Sequence, residues 1–136
     1  MVTQRIHALL AEHDIKPSPQ RLAVGESVLH SRTHPTAEDV LAEARRRLPW
    51  LSRATVYNTL NLFVRKGLLR AFSLGEGPLV YDPNVDAHHH FIDDATGRIR
   101  DVPWNALRVA RVSALPGLEV REYQVVLRGR ARRSKM

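Results

Sequence analysis

The sequence contains no cysteine among its 136 residues. This absence excludes disulfide bonds, thiolate redox chemistry and every zinc or iron–sulfur site built on cysteine. Lysine is scarce as well, because 18 of the 21 basic residues are arginine. No apolar run approaches the roughly 20 residues of a membrane-spanning helix, and the N-terminal stretch lacks the apolar core of a secretion signal. We therefore expect a cytoplasmic protein with no membrane partner.

The charge is strongly unbalanced, with a formal net value of +7 at neutral pH. A basic chain favours a polyanionic partner such as nucleic acid, because neutralising phosphates releases counterions. Four arginines and one lysine fall within 128–136, which predicts a solvated basic tail. Hydrophobic residues make up 43% of the chain, enough for a packed core in one domain or two small ones.

The first half contains four stretches in which apolar residues recur at helical spacing. Ser18, Thr36 and Ser52 stand where helix N-caps belong. Pro19 occupies the first turn after Ser18, and Asp39 follows Thr36 at the spacing of a capping box. These signals predict the starts of the second, third and fourth helices.

Two short apolar stretches, 68–74 and 78–82, follow the helices and are typical of strands. Gly75-Glu76-Gly77 between them predicts a hairpin turn. Helices followed by a hairpin predict a winged helix-turn-helix over 1–82, a module that docks one helix in the major groove of DNA.

The fourth helix is expected to expose a face of polar side chains that can hydrogen-bond base edges and phosphates. Its members are Arg53, Thr55, Tyr57, Asn58 and Asn61. An ordinary solvated face is the alternative, but such faces usually contain Glu and Lys, and this one has neither.

The second half predicts a hinge at 83–86 and a small α/β domain over 87–136, so that the fold class is α+β. The expected elements are a strand at 87–93, a turn at 94–97, a strand at 98–102, a short helix from Pro103 that carries Leu107, and a last strand at 118–127. So small a domain buries little core by itself, which favours completion by homodimerisation.

Three consecutive histidines lie on the first strand of this domain. Because side chains alternate along a strand, His88 and His90 point to one face and His89 to the other. Asp101 on the returning strand can reach the face of His88 and His90, and Asp82 precedes the hinge. Imidazole and carboxylate ligands without thiolate suit Fe(II), Mn(II), Co(II) or Zn(II). A polar turn with a chance histidine run is the alternative.

Four segments together resemble the ferric uptake regulator (Fur) superfamily over roughly 16–129: residues 18–21, 34–39, 54–60 and the block 81–90. The resemblance implies a dimeric winged-helix transcription regulator, in most cases a repressor, that binds a palindromic DNA operator and is not an enzyme. It also implies a regulatory metal site. Residue by residue, the implied ligands are His34, Asp82, His88, His90 and Asp101.

The same resemblance implies roles on the DNA-binding side. Tyr57 would read a base, Arg53 and Asn58 would contact bases or backbone, and Lys16 would enter the minor groove. Thr55 belongs to the same predicted DNA-binding face.

The expected signal depends on Asp101, because many members of the family have glutamate there. An aspartate resembles the peroxide-sensing branch, in which bound Fe(II) reacts with hydrogen peroxide and a ligating histidine is oxidised. The residues that match the oxidation-sensitive positions are His34 and His88. The expected cofactor is Fe(II) or Mn(II), with Zn(II) as a substitute in vitro. An iron-responsive regulator, or a haem-responsive one of the iron response regulator branch, remains the alternative.

The chain departs from the family pattern in two respects. Relatives usually hold a structural zinc through two cysteine pairs, but Asp93 and Thr96 stand at the first pair and 129–134 contains no cysteine. We therefore expect no structural four-cysteine zinc. Arg108 and Arg130 stand where some members place ligands of a second regulatory site, so no second site of that kind is expected.

Two other classes of function compete with a regulator. A mononuclear metalloenzyme would use two histidines and a carboxylate with an open coordination position, but the sequence offers no evident substrate pocket or spare general base. A constitutive DNA-binding protein would use its metal only for folding. Equal operator affinity with and without metal would select that class.

Overall fold

The computed structural model describes residues 2–31, 33–73, 75 and 77–132. The chain divides into two compact units, Met1–Val85 and Asp86–Met136. None of the helices within the described ranges is long and apolar enough to cross a membrane.

Four helices build the first unit: α1 (Val2–Glu12), α2 (Pro19–Val28), α3 (Ala37–Arg45) and α4 (Arg53–Arg65). The three predicted N-caps are confirmed, since Ser18, Thr36 and Ser52 each accept a hydrogen bond from the backbone N–H three residues on. Thr36 and Asp39 form the predicted capping box in both directions. These local bonds satisfy N–H groups that no helix can satisfy internally, which is why the helices begin at these residues.

The core of the first unit is formed by the apolar faces of the helices. Ile6, Val24, Leu60 and Phe63 are fully buried within it. Gly25 lets α1 approach α2 closely, because a Cβ at this position would lie 2.7 Å from Cγ2 of Ile6. The core fixes the helices firmly enough to present a defined outer face on α4.

The wing consists of strands β1 (Arg70–Phe72) and β2 (Val80–Asp82), which pair antiparallel. Strand β1 begins at Arg70 rather than at 68, because Leu68 and Leu69 are buried in the helical core and do not pair, and β2 begins at Val80 rather than at 78. Leu74 of the first predicted strand and Glu76 of the predicted hairpin turn lie outside the described residues.

A three-stranded sheet forms the second unit, in the order β4-β3-β5. The strands are β3 (His88–Asp93), β4 (Ile99–Pro103) and β5 (Val126–Gly129). Strand β3 pairs antiparallel with β4 and parallel with β5. The predicted turn between β3 and β4 is present, with Gly97 at φ +75°, a conformation that glycine adopts without strain.

Two predictions for the second unit are wrong. The short helix from Pro103 is only a 3₁₀ turn over Trp104–Ala106, so that Leu107 lies beyond it. The last strand was expected at 118–127, but residues 118–125 are not in a strand and β5 covers Val126–Gly129. Strand β5 pairs with His90–Asp93 of β3, and the apolar pattern does not reveal the limits of that long-range pairing. Residues 133–136 of the predicted tail lie outside the described residues.

Candidate functional site

In the first unit, His34 and Asp82 form a buried pair. Nε2 of His34 lies 3.1 Å from Oδ2 of Asp82, and the two side chains are 3% and 4% exposed. The other carboxylate oxygen of Asp82 accepts the backbone N–H of Asn84 at 2.9 Å. These two contacts orient the carboxylate toward the imidazole.

Strand β2 explains why residues so distant in sequence meet. The N–H of Tyr81 donates to the carbonyl oxygen of Pro35 at 2.9 Å, and Val80 forms a β-bridge with Thr36. The loop that carries His34 is therefore held along the strand that ends at Asp82. His34 itself has φ +54°, a left-handed conformation that histidine tolerates better than most residues.

In the second unit, His88, His90 and Asp101 converge. The register of β3 and β4 places His90 opposite Asp101. The Nε2 atoms of His88 and His90 lie 3.3 and 3.7 Å from Oδ1 of Asp101. Both imidazoles are buried, whereas the Asp101 side chain is 35% exposed. This unit thus brings two imidazole nitrogens and one carboxylate oxygen, which could ligate a metal ion, to one face of the sheet.

The hydrogen bond at the other nitrogen of His88 indicates its tautomer. Nδ1 lies 2.6 Å from the carbonyl oxygen of Asp86, which can only accept, so Nδ1 carries the hydrogen. In the neutral imidazole, Nε2 then presents its lone pair toward the carboxylate of Asp101, and a cation shared by the two groups suits that arrangement. Metal-ligating histidines commonly donate their second ring N–H to a carbonyl in this way. The donor set of imidazoles and carboxylate fits Fe(II), Mn(II) or Zn(II).

His89 lies on the opposite face of β3, as the alternation predicts. Its ring stacks on Trp104 with centroids 4.6 Å apart and an interplanar angle of 16°. Its Nδ1 accepts the backbone N–H of Val125 at 2.9 Å. His89 is therefore engaged in packing rather than directed toward Asp101.

On α4, two of the predicted DNA-binding side chains share a partner that the sequence did not suggest. Arg53 donates from Nε and Nη2 to the two carboxylate oxygens of Glu38, at 3.0 and 2.8 Å. The hydroxyl of Tyr57 donates to the same carboxylate at 3.0 Å. These hydrogen bonds hold the pKa of Glu38 below its ordinary value, with Arg53 the larger cause and Tyr57 the next.

The other three predicted DNA-binding residues lie together elsewhere on the first unit. Lys16, Thr55 and Asn58 line one open groove beside the start of α2 and the outer face of α4. Arg21 and Arg65 line it too, which makes the groove basic. Thr55 is partly buried and its hydroxyl accepts from that of Ser52, so it is the least accessible of the predicted set.

The family model described as the ferric uptake regulator family matches residues 12–127 of the sequence. The chain belongs to the ferric uptake regulator family. It is accordingly a metal-responsive transcriptional regulator. The predicted family is confirmed.

Two relatives within the family are named for peroxide. The peroxide operon regulator of Bacillus subtilis (strain 168) is 31% identical over 122 residues, which cover 88% of this chain and 84% of that protein. The peroxide-responsive repressor PerR of Staphylococcus aureus (strain Mu50) is 32% identical over 100 residues, which cover 74% of this chain and 68% of that protein. Both relatives are regulators rather than enzymes, in agreement with the prediction that this family member is not an enzyme.

A solved family structure, that of a zinc-bound manganese uptake regulator, has the same fold. It superposes with a TM-score of 0.67 at 23% identity and covers 93% of this chain and 98% of that one. The predicted α+β fold, a winged helix-turn-helix followed by a small α/β domain, is confirmed.

The sequence analysis missed the contact of Glu38 with the outer face of α4 and the packing role of His89. Glu38 lies 15 residues before Arg53, and no periodic pattern connects them. A weak signal was present, because Arg53 and Tyr57 are four residues apart and so share a helix face that one carboxylate can reach.

Proposed function

We propose that this member of the ferric uptake regulator family is a metal-dependent DNA-binding repressor whose signal is hydrogen peroxide. The observation that carries the proposal is the arrangement of His88, His90 and Asp101, with the tautomer of His88 set by the carbonyl of Asp86. The similarity to two relatives named for peroxide supports the choice of signal.

One regulatory metal ion, Fe(II) or Mn(II), would draw its ligands from both units. His34 and Asp82 would contribute from the first unit, and His88, His90 and Asp101 from the second. The donor chemistry supports this set, because each member is an imidazole or a carboxylate and four of the five are buried. Zn(II) can replace the physiological ion in vitro by the same chemistry.

The first unit would bind double-stranded DNA through α4 and the basic groove beside it. The contacts would come from Lys16, Arg53, Thr55, Tyr57 and Asn58. Residues 1–82 would form the DNA-binding domain, 83–86 the hinge, and 87–136 the dimerisation and metal-sensing domain. A two-fold homodimer would then read a palindromic operator, with recognition helices about 34 Å apart.

Regulation would operate as a population shift. Ligation from both units restricts the hinge and favours the arrangement that fits the operator, whereas the metal-free dimer samples others. A nearly complete switch requires the ligands to favour one state over the other by about 5.5 kcal/mol. Loss of one histidine ligand would reduce that difference and release the operator.

His34 and His88 are the residues that we expect to be oxidised. Bound Fe(II) would supply the redox chemistry that activates hydrogen peroxide beside these histidines. In the net reaction one peroxide oxygen enters an imidazole C–H bond of His34 or His88, and the other leaves as water. The modified ring is a poorer ligand, and the switch follows from that loss.

Measurement of DNA binding tests the metal dependence. A duplex enriched from a random library by the Mn(II)-loaded protein serves as the probe, and affinity is measured with metal and with chelator. His88→Ala should abolish the metal-dependent part of binding, whereas His7→Ala, which changes an exposed histidine on α1, should leave it intact. Unchanged metal dependence in His88→Ala would refute the proposed site.

Mass spectrometry of the protein after treatment with hydrogen peroxide tests the signal. The Fe(II)-loaded protein should gain one oxygen on His34 or His88, and the Mn(II)-loaded protein should gain none. Absence of the modification with retained Fe(II)-dependent DNA binding would select an iron-responsive regulator. If the modification is absent and titration with haemin produces a Soret band, the protein would be a haem-responsive regulator.

A further inference from the structure

Glu38 stands at the centre of a hydrogen-bonded group on the exposed face of the first unit. It lies in the first turn of α3 and accepts three hydrogen bonds, two from Arg53 and one from Tyr57. The side chains of Arg53 and Glu38 are 61% and 54% exposed, so the group lies at the surface that α4 presents. Arg53 and Tyr57 are two of the side chains proposed to contact DNA.

The contact with Glu38 orients the guanidinium of Arg53 and leaves some of its N–H donors available for other partners. Arginine has five N–H donors, and Glu38 occupies one on Nε and one on Nη2. Two of the three remaining donors, one on Nη1 and one on Nη2, lie along the Nη1–Nη2 edge, and such a pair can bind guanine O6 and N7 in the major groove. Glu38 therefore fixes the plane of the guanidinium and leaves the reading edge available.

For Tyr57, the contact determines which hydrogen bonds remain. Its hydroxyl donates to Glu38, so the hydroxyl oxygen can only accept from a further partner. Exocyclic amines of adenine and cytosine are the donors in the major groove. Because Arg53 and Tyr57 hold the pKa of Glu38 low, the carboxylate is ionised at neutral pH and cannot reverse the direction of these bonds.

The charge of the group also matters for binding to any DNA. Glu38 and Arg53 together are neutral, so Arg53 attracts phosphates less than a solvated arginine would. Without the carboxylate, the guanidinium is free to rotate and to add one sequence-independent phosphate contact.

We propose that Glu38 is a specificity-determining residue, which positions Arg53 and Tyr57 for base reading and suppresses the non-specific attraction of Arg53 to phosphate. The proposal rests on the proposed DNA-binding function of α4. Glu38 acts through the two side chains that it holds and does not itself contact DNA.

The test compares two acidic residues of α3. Glu38→Ala removes the contacts, and Glu43→Ala is the matched control, because Glu43 lies on the same helix and pairs only loosely with Arg46 at 3.5 Å. The Mn(II)-loaded protein first enriches a preferred duplex from a random library, and affinities are then measured for that duplex and for a shuffled one. Glu38→Ala should lower the ratio of the two affinities about tenfold, and Glu43→Ala should change it less than about twofold.

Two further measurements separate positioning from a merely structural role. The slope of log affinity against log salt on the shuffled duplex should become steeper by about 0.9 in Glu38→Ala, the value for one added phosphate contact. In an Arg53→Ala, Tyr57→Phe background, Glu38→Ala should no longer change the affinity ratio. If Glu38 only links α3 to α4, Glu38→Ala would lower the thermal unfolding midpoint and leave the affinity ratio and the salt slope unchanged. That outcome would refute the proposal.

The two proposals fail in different ways. If the wild-type protein enriches no sequence at all, the proposed DNA-binding function fails and the role of Glu38 fails with it. If the wild-type protein enriches a duplex and Glu38→Ala keeps the same affinity ratio, only the role of Glu38 is overturned.

Discussion

At the scale of single residues, the histidine run divides into two kinds of environment. His88 and His90 approach Asp101, whereas His89 stacks on Trp104 and accepts the N–H of Val125. The division follows from strand alternation and could be predicted from sequence. The partners of His89 could not, because Trp104 and Val125 reach it through the tertiary fold.

Replacement of His89 tests its packing role. His89→Ala removes the stack on Trp104 and leaves the N–H of Val125 without its acceptor, so we expect a loss of about 2–4 kcal/mol in the free energy of unfolding. Urea unfolding of the metal-free protein measures this loss, and His7→Ala should change it by less than about 0.5 kcal/mol. The number of metal ions bound per chain should stay the same in His89→Ala. An unchanged urea midpoint would contradict the packing role.

Glu38 should also leave a signature in the pH dependence of stability. Arg53 and Tyr57 lower the pKa of its carboxyl from the ordinary value of 4.5. A depressed pKa in the folded state means that the contribution to stability is present above pH 4.5 and is lost as the pH falls through the folded value. The difference in unfolding midpoint between the wild type and Glu38→Gln should therefore be constant near neutral pH and shrink in acid. A difference in unfolding midpoint that grows below pH 4.5 would contradict a lowered pKa of Glu38 in the folded protein.

At the scale of elements, predictions succeeded where the determining contacts are local. Ser18, Thr36 and Ser52 begin their helices through bonds to residues three positions on. Strand β5 was misplaced because its start and end depend on β3, some 36 residues earlier, with which it pairs. Tyr123, predicted within that strand, instead lies against Trp104 with ring centroids 4.7 Å apart.

The close approach of α1 and α2 leads to a prediction for Gly25. A Cβ there would lie 2.7 Å from Cγ2 of Ile6, a buried and β-branched side chain that cannot easily move. Gly25→Ala gains about 1 kcal/mol in helix propensity but should lose about 2–3 kcal/mol to overpacking, a net destabilisation of about 1–2 kcal/mol. Gly77→Ala is the control, because none of the described residues other than its chain neighbours comes within 4 Å of the added Cβ. Equal or higher stability of Gly25→Ala in urea would show that α1 can shift.

At the scale of the whole molecule, the sequence revealed the basic character, the fold class and the donor types. It could not reveal the tautomer of His88 or the carboxylate that holds Arg53, since each depends on a hydrogen bond formed only in the folded protein. Both features determine how the side chains of a site are oriented, whereas the sequence already indicates which residues the site contains.

Metal should stabilise the folded protein by mass action. At a free Mn(II) concentration of about 100 times the dissociation constant, the gain is about 2.7 kcal/mol, seen as a higher thermal midpoint that chelator reverses. If one ion draws ligands from both units, His34→Ala and His90→Ala should each remove most of the gain. A full gain retained in His34→Ala would restrict the site to the second unit.

Strand β2 has a consequence for how this chain can vary in evolution. Each of its three residues makes one contact with the loop around His34. Val80 forms a β-bridge with Thr36, the N–H of Tyr81 donates to the carbonyl oxygen of Pro35, and the carboxylate of Asp82 contacts His34. A slip of one residue would turn Asp82 to the opposite face and break each of these contacts. Insertions and deletions should therefore be tolerated before Val80, in the tip of the wing. The intervals from His34 to Thr36 and from Val80 to Asp82 should stay constant among descendants that keep the proposed switch.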